Sequence, residues 1–189
     1  MPETHDPWTK DAVRRNIRAR LKAAPDGTLR RWSDLLVERL KARTDLWDSP
    51  GIVALFGGLR NEPDLITHFM SWLHERGWRT VFFGVEGTQL IPIEVKSLAE
   101  LKRGPLGVWE PAGGTPLTLS ELDLILVPGL AFAARDGARL GRGGGYYDRL
   151  LSNLEVRARL VAIAFHIQLL PDIPCEPHDI CVPDLVTEI

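Results

Sequence analysis

Four short stretches of the chain are apolar at nearly every position: Ile52-Val53-Ala54-Leu55-Phe56, Thr80-Val81-Phe82-Phe83, Leu124-Ile125-Leu126-Val127 and the run from Leu160 to Phe165. A strand with one wet face alternates apolar and polar residues, whereas a continuous apolar run of this length fits a strand covered on both faces. Segments of helical period lie between the runs. Strands alternating with helices in this way predict βαβ units and a mostly parallel sheet with helices on both sides. Ligands of such sheets bind at the carboxyl ends of the strands.

Ahead of the first run the period is helical. Thr9 is a good N-cap after Pro7, and Val13, Ile17 and Leu21 recur every four residues, predicting a helix over 9–24 that ends at Pro25-Asp26-Gly27. Lys10, Arg14, Arg18 and Lys22 share that spacing and form a basic stripe, which by itself reads as a solvated face. A second helix, 28–42, is expected to bury Trp32, Leu35, Leu36 and Leu40. Further helices are predicted from Asn61 and Pro63 to Gly77, over 97–102, and over 146–154, with a Pro/Gly-rich stretch over 104–116. No linker-like composition interrupts the chain, so residues 1–189 read as one domain with an N-terminal helical pair.

Charge is balanced overall and uneven locally. The formal net charge is −2. Residues 1–43 hold 11 Lys or Arg against six acids, and residues 171–189 hold five acids and no Lys or Arg. The absence of a general basic excess argues against nucleic acid as a partner. Two cysteines, Cys175 and Cys181, make no disulfide framework, and the reading is two ordinary thiols in a reducing cytosol. No apolar run nears the roughly 20 residues that span a bilayer, and the polar start does not read as a signal peptide, so a cytoplasmic protein is expected.

Glycine is also concentrated: six of 17 lie between Gly129 and Gly145. The segment Arg139-Leu140-Gly141-Arg142-Gly143-Gly144-Gly145-Tyr146-Tyr147-Asp148 follows an apolar strand and leads into a helix. Loop amides, a helix N-terminus and two arginines together define an anion site, with phosphate as the natural occupant. The loop matches neither the Walker A pattern, since no lysine follows Lys102, nor GxGxxG, since Tyr146 stands where the last glycine belongs. Asp148 is a carboxylate suited to Mg²⁺ beside substrate phosphates.

The string Val127-Pro128-Gly129-Leu130-Ala131-Phe132, then Gly137, then Arg139 to Arg149, closely resembles the signature of the 5-formyltetrahydrofolate cyclo-ligase family. Weaker matches lie in the same order: Lys10-x-x-x-Arg14, Glu62 after the first strand, and Phe165-x-x-Gln168 with His178-Asp179. The resemblance implies a three-layer, Rossmann-like α/β fold, usually monomeric. It also implies ATP- and Mg²⁺-dependent closure of 5-formyltetrahydrofolate to 5,10-methenyltetrahydrofolate. On this resemblance Lys10, Arg14, Arg139, Leu140, Gly141, Arg142, Gly143, Gly144, Gly145, Tyr146 and Tyr147 hold ATP, and Asp148 with Asp179 holds Mg²⁺. Gly57 and Glu62 line the pterin pocket, with Arg142 and Tyr146 at the formyl group as the catalytic pair. Trp109, between Gly107 and Pro111, either stacks on a flat heterocycle there or packs. Leu65, Gly84 and Ala133 depart from the family's pattern, and Gly144 stands where many members carry lysine.

The chemistry accounts for these residue types. A formyl oxygen on nitrogen is a poor leaving group, and phosphorylation turns it into an imidate phosphate that the N10 amine attacks. Positioning and positive charge over the phosphoryl oxygens are what a protein must supply, with no covalent nucleophile. Two other readings fit the same residues: an ATP-dependent paralogue acting on another substrate, and a non-catalytic phospholigand-binding module.

Overall fold

The computed structural model describes residues 8–104, 107–176 and 179–189; His178 of the C-terminal motif lies outside the described residues. The Thr9 hydroxyl accepts from the Ala12 N–H at 3.2 Å and starts helix α1 (Lys10–Ala23), which buries Val13, Ile17 and Leu21 as their spacing requires. Helix α2 (Thr28–Lys41) buries Ser33, Leu36, Val37 and Leu40. Leu35 is 48% exposed, contrary to the expected face: it lies one residue off a stripe already filled at three- and four-residue spacing.

The sheet strands are β1 (Ile52–Ala54), β2 (Arg79–Glu86) and β3 (Gln89–Glu94), with helix α3 (Phe69–His74) between the first two. Next come a hairpin, β4 (Leu101–Arg103) and β5 (Trp109–Pro111), and the long strand β6 (Leu124–Pro128). Then follow β7 (Ala131–Ala133), β8 (Arg139–Leu140), α4 (Tyr146–Leu151), β9 (Arg159–Ile163), β10 (Leu169–Leu170) and β11 (Leu185–Val186). The main sheet runs β11-β9-β6-β1-β2-β3, parallel throughout except for β3, which pairs antiparallel with β2 at the edge.

Alternate residues of the sheet face two helical layers. Val53, Phe82, Leu124, Leu126, Val161 and Ile163 pack with α1, α2 and α3. Ile52, Ala54, Val81, Phe83, Ile125, Val127 and Ala162 pack with Leu150 and Leu151 of α4. The three-layer arrangement follows from strands apolar on both faces. Phe69, Phe82, Phe132 and Phe165 are fully buried, each stabilising the fold by about 1.5–3 kcal/mol.

Several local expectations are corrected. The helix expected from Asn61 is a turn, because the Asp64 carboxylate accepts from the Ile66 and Thr67 N–H groups and helix α3 begins only at Phe69. Residues 98–100 form a 3₁₀ turn, and Leu101 to Arg103 are strand rather than helix. Strand β3 was unforeseen; Pro92 is tolerated in it because β3 is an edge. The glycine loop does not follow β6 directly: the hairpin β7–β8 intervenes, and α4 has only six residues. Among the described residues no helix is long and apolar enough to cross a membrane.

Candidate active site

From β1 the chain crosses to β2 on one side, and from β6 to β9 on the other, so the sheet order reverses between β1 and β6. Beyond the carboxyl ends of those two strands lies a cavity of about 500 Å³. Its walls are Leu55 to Gly57 after β1, Phe83 and Val85 of β2, Trp109 of β5, and Pro128 and Gly129 at the end of β6. The glycine loop and first turn of α4 complete it through Arg139, Gly141, Arg142 and Gly144 to Asp148. This is the crevice that an open α/β sheet offers to a ligand.

Two ion pairs stand in it. Arg142 Nε donates to Glu62 Oε1 at 3.0 Å, and Arg142 Nη2 to Asn61 Oδ1 at 3.3 Å. The Glu62 side chain is 8% exposed. Burial pushes its carboxyl above the usual carboxylate range, and Arg142 opposes that rise in part. Arg139, 4% exposed, pairs with Asp148 and donates from Nη1 to the Pro128 carbonyl at 3.2 Å, while its Nε is buried without a partner. Tyr147 packs edge-to-face on Phe83 with ring centroids 6.0 Å apart, and burial with the nearby Glu62 charge pushes its phenol up.

Trp109 both packs and lines the cavity. Its N–H donates to the Gly57 carbonyl at 2.9 Å, and the Arg103 guanidinium lies 4.1 Å from the ring centroid. Gly58, at φ +112°, admits this approach, since a Cβ there would stand 2.6 Å from the Trp109 nitrogen. Leu59, Glu62 and Trp109 also line, with Gly58, a larger open cleft of about 1090 Å³ under α2, where charges of both signs mix.

Gly57, Glu62, Trp109, Arg139, Gly141, Arg142, Gly144, Gly145, Tyr146, Tyr147 and Asp148 thus meet around one cavity. Other expected residues do not. Leu140 turns into the core and its carbonyl accepts from the Leu130 N–H. Lys10 Nζ bonds Asp179 at 2.7 Å and Glu176 at 3.4 Å; burial alone would lower its pKa, and these acids more than offset that and raise it. Arg14 Nε donates to the Gly141 carbonyl at 3.1 Å, close to Gly143, outside the cavity wall. Asp148 and Asp179 each face their own cation. Among the described residues no group of three or more His, Cys, Asp or Glu gathers at a point.

Residues to which sequence reasoning assigns no role in the site also act here. Arg18, assigned to a solvated face, donates to the Arg142 carbonyl at 3.3 Å. Gln168 Nε2 donates to the Gly129 and Leu130 carbonyls at 2.9 and 3.2 Å and fixes the chain after β6. Asn61 and Arg149 carry no periodic signal; Asn61 lies beside Glu62, and Arg149 closes the motif string.

An open α/β sheet with a glycine loop, an arginine pair and a mostly apolar crevice at its switch point defines a small-ligand site with an anion subsite. The model of the 5-formyltetrahydrofolate cyclo-ligase family matches residues 8–188, and the chain belongs to that family. It is 45% identical over 85 residues to the 5-formyltetrahydrofolate cyclo-ligase of Mycolicibacterium smegmatis, covering 45% of this chain and 41% of that protein. Over 76 residues it is 45% identical to the mouse protein of the same name, covering 38% of this chain and 37% of that protein. The matched stretches therefore span less than half of either relative. The solved structure of Aquifex aeolicus 5,10-methenyltetrahydrofolate synthetase superposes with a TM-score of 0.81 at 31% identity, over 95% of this chain and 89% of that one.

Proposed function

We propose that the chain acts as one domain, a cytoplasmic and monomeric enzyme that closes 5-formyltetrahydrofolate to 5,10-methenyltetrahydrofolate with consumption of ATP, and that neither nucleic acid nor membrane is a partner. The observation that carries this reading is the single cavity in which a glycine loop with two arginines faces Glu62 and Trp109. A polyphosphate subsite and a heterocycle subsite within reach of one another are what phosphoryl transfer to a folate requires.

The donor set fits ATP. Arg139, with a buried Nε lacking a partner, Arg142 and the loop glycines offer only hydrogen-bond donors to phosphoryl oxygens. Lys10 and Arg14 would contribute from α1, and Gly143 from the loop's outer side. With α4 only six residues long, charge here comes from arginines and loop amides more than from a helix dipole. Asp148 fits Mg²⁺, which takes one or two carboxylates with the phosphates and would neutralise charge there. Asp179 would join it by exchanging Lys10 for the ion.

Trp109 and Gly57 would flank the pterin, and Glu62 would accept from its N–H groups while holding Arg142 in place. Arg142 and Tyr146 would stand at the formyl oxygen, the guanidinium stabilising charge as that oxygen attacks the γ-phosphorus. The imidate phosphate so formed takes N10 at carbon, and phosphate leaves with the former formyl oxygen. Purified protein with Mg-ATP and 5-formyltetrahydrofolate should generate the methenyl chromophore, with none when ATP is withheld. ATP binding without product would point to a paralogue with another substrate.

A further inference from the structure

The glycine loop is gripped from outside the cavity by three arginines, each through a backbone carbonyl. Arg14 Nε donates to the Gly141 carbonyl at 3.1 Å, Arg18 Nη2 to that of Arg142 at 3.3 Å, and Arg149 Nη2 to that of Gly144 at 2.9 Å. None of the three donors lines the cavity. In a trans peptide the N–H points opposite to the carbonyl. Each bond therefore turns the next N–H, those of Arg142, Gly143 and Gly145, away from the arginine that holds it. Among the described residues none of these three N–H groups has a partner within the chain. Successive unpaired amides in a loop with left-handed glycines form an anion-binding nest.

Arg149 carries a second connection. Its Nε donates to the Thr88 carbonyl at 2.9 Å, in the turn between β2 and β3, and its guanidinium lies 5.2 Å from the Tyr146 ring centroid. Gly145 has φ +66°, a conformation that favours glycine, and a Cβ there would come within 2.7 Å of Arg149 Nη1 and push the guanidinium aside. One side chain thus ties the hairpin turn, the loop and Tyr146 together. Lysine carries its three N–H donors on one nitrogen and cannot reproduce a planar two-nitrogen bridge.

We infer that Arg149, seconded by Arg18, is a positioning residue: the two hold the Gly144 and Arg142 carbonyls outward so that the amides that follow stay aimed at the nucleotide's phosphates. This rests on the nucleotide reading above. The test pairs ¹⁵N relaxation of the Gly143, Gly144 and Gly145 amides in ligand-free protein with calorimetry using a non-hydrolysable ATP analogue. In Arg149→Ala the order parameters should fall from about 0.85 to below about 0.6. Analogue affinity should weaken about tenfold, the scale of one charge-assisted hydrogen bond, with the KM for 5-formyltetrahydrofolate within about twofold of wild type. Arg149→Lys should recover only part of the affinity, Arg18→Ala should show a smaller effect of the same kind, and Arg157→Ala, on an exposed arginine elsewhere, should show none. Unchanged order parameters in Arg149→Ala would overturn the brace whatever the protein binds. A mobile loop with unchanged affinity would overturn the positioning role. Wild-type protein that fails to bind the analogue would overturn the nucleotide reading, and with it the phosphate role of the brace, while relaxation still decides whether the brace exists.

Discussion

Two arginine–carboxylate clusters sit at different ends of this molecule and differ in how completely they satisfy themselves. Where α2 ends, Arg43 bonds both oxygens of Asp45, each at 2.9 Å, and both of Asp184, at 2.9 and 3.1 Å. Arg159 adds bonds to the same two acids at 2.8 and 2.7 Å. Asp45 and Asp184 are held below the usual carboxylate range by these arginines, and Arg43 and Arg159 are raised. In the cavity, Arg142 meets Glu62 through one bond, burial pushes Glu62 up, and Arg139 keeps a buried nitrogen without a partner. The first cluster is saturated and fastens β9 and the C-terminal segment to the rest of the fold. The second has donors to spare, the state expected of a site that receives another anion.

That contrast predicts opposite phenotypes. Arg142→Ala should lower turnover at least about 10³-fold, the scale of an arginine lost from a phosphoryl-transfer site, with melting shifted by less than about 2 °C. A large melting loss with turnover retained would place Arg142 with the structural cluster. Glu62→Gln removes the charge that orients Arg142 and should raise the KM for 5-formyltetrahydrofolate about 10- to 100-fold, by steady-state kinetics, with a smaller change in kcat. Asp184→Ala should do the reverse, costing about 1 kcal/mol in chemical denaturation for a partly exposed network and leaving kcat/KM within twofold or so.

The smallest effect is in pH. Asp45 and Asp184 have depressed values in the fold, so their stabilisation is fully present above the ordinary value of 3.8 and is lost as pH falls below it. Asp184→Asn should therefore shrink the difference in melting temperature between about pH 6 and about pH 3. An unchanged difference would mean that the two acids are not what the saturated cluster protects.

What the sequence disclosed follows the same division. The apolar runs at Ile52, Thr80, Leu124 and Leu160 are strands because a strand buried on both faces carries its own pattern. The site's glycines, Arg142 and Asp148 were legible because they are contiguous. Strand β3 was not, since Pro92 and the mixed polarity of an edge hide it. The separate partners of Asp148 and Asp179 were also hidden: Lys10 pairs with Asp179 across the fold, and the Arg139–Asp148 pair lies inside the motif itself, which does not say that the two side chains meet. Arg18 looked like part of a solvated stripe because its acceptor, the Arg142 carbonyl, lies 124 residues away. Leu35 and Leu140 were misjudged for one reason: a residue's place in a motif or near a stripe does not say where its side chain turns.

The central claim is that the cavity brings a phosphoryl group to the formyl oxygen of the folate. Single turnover with Mg-ATP and 5-formyltetrahydrofolate carrying ¹⁸O in the formyl group, analysed by mass spectrometry of the released phosphate, tests it most directly. The account predicts one ¹⁸O in each phosphate formed with the methenyl product. Methenyl product accompanied by unlabelled phosphate, with ¹⁸O released to water, would contradict it.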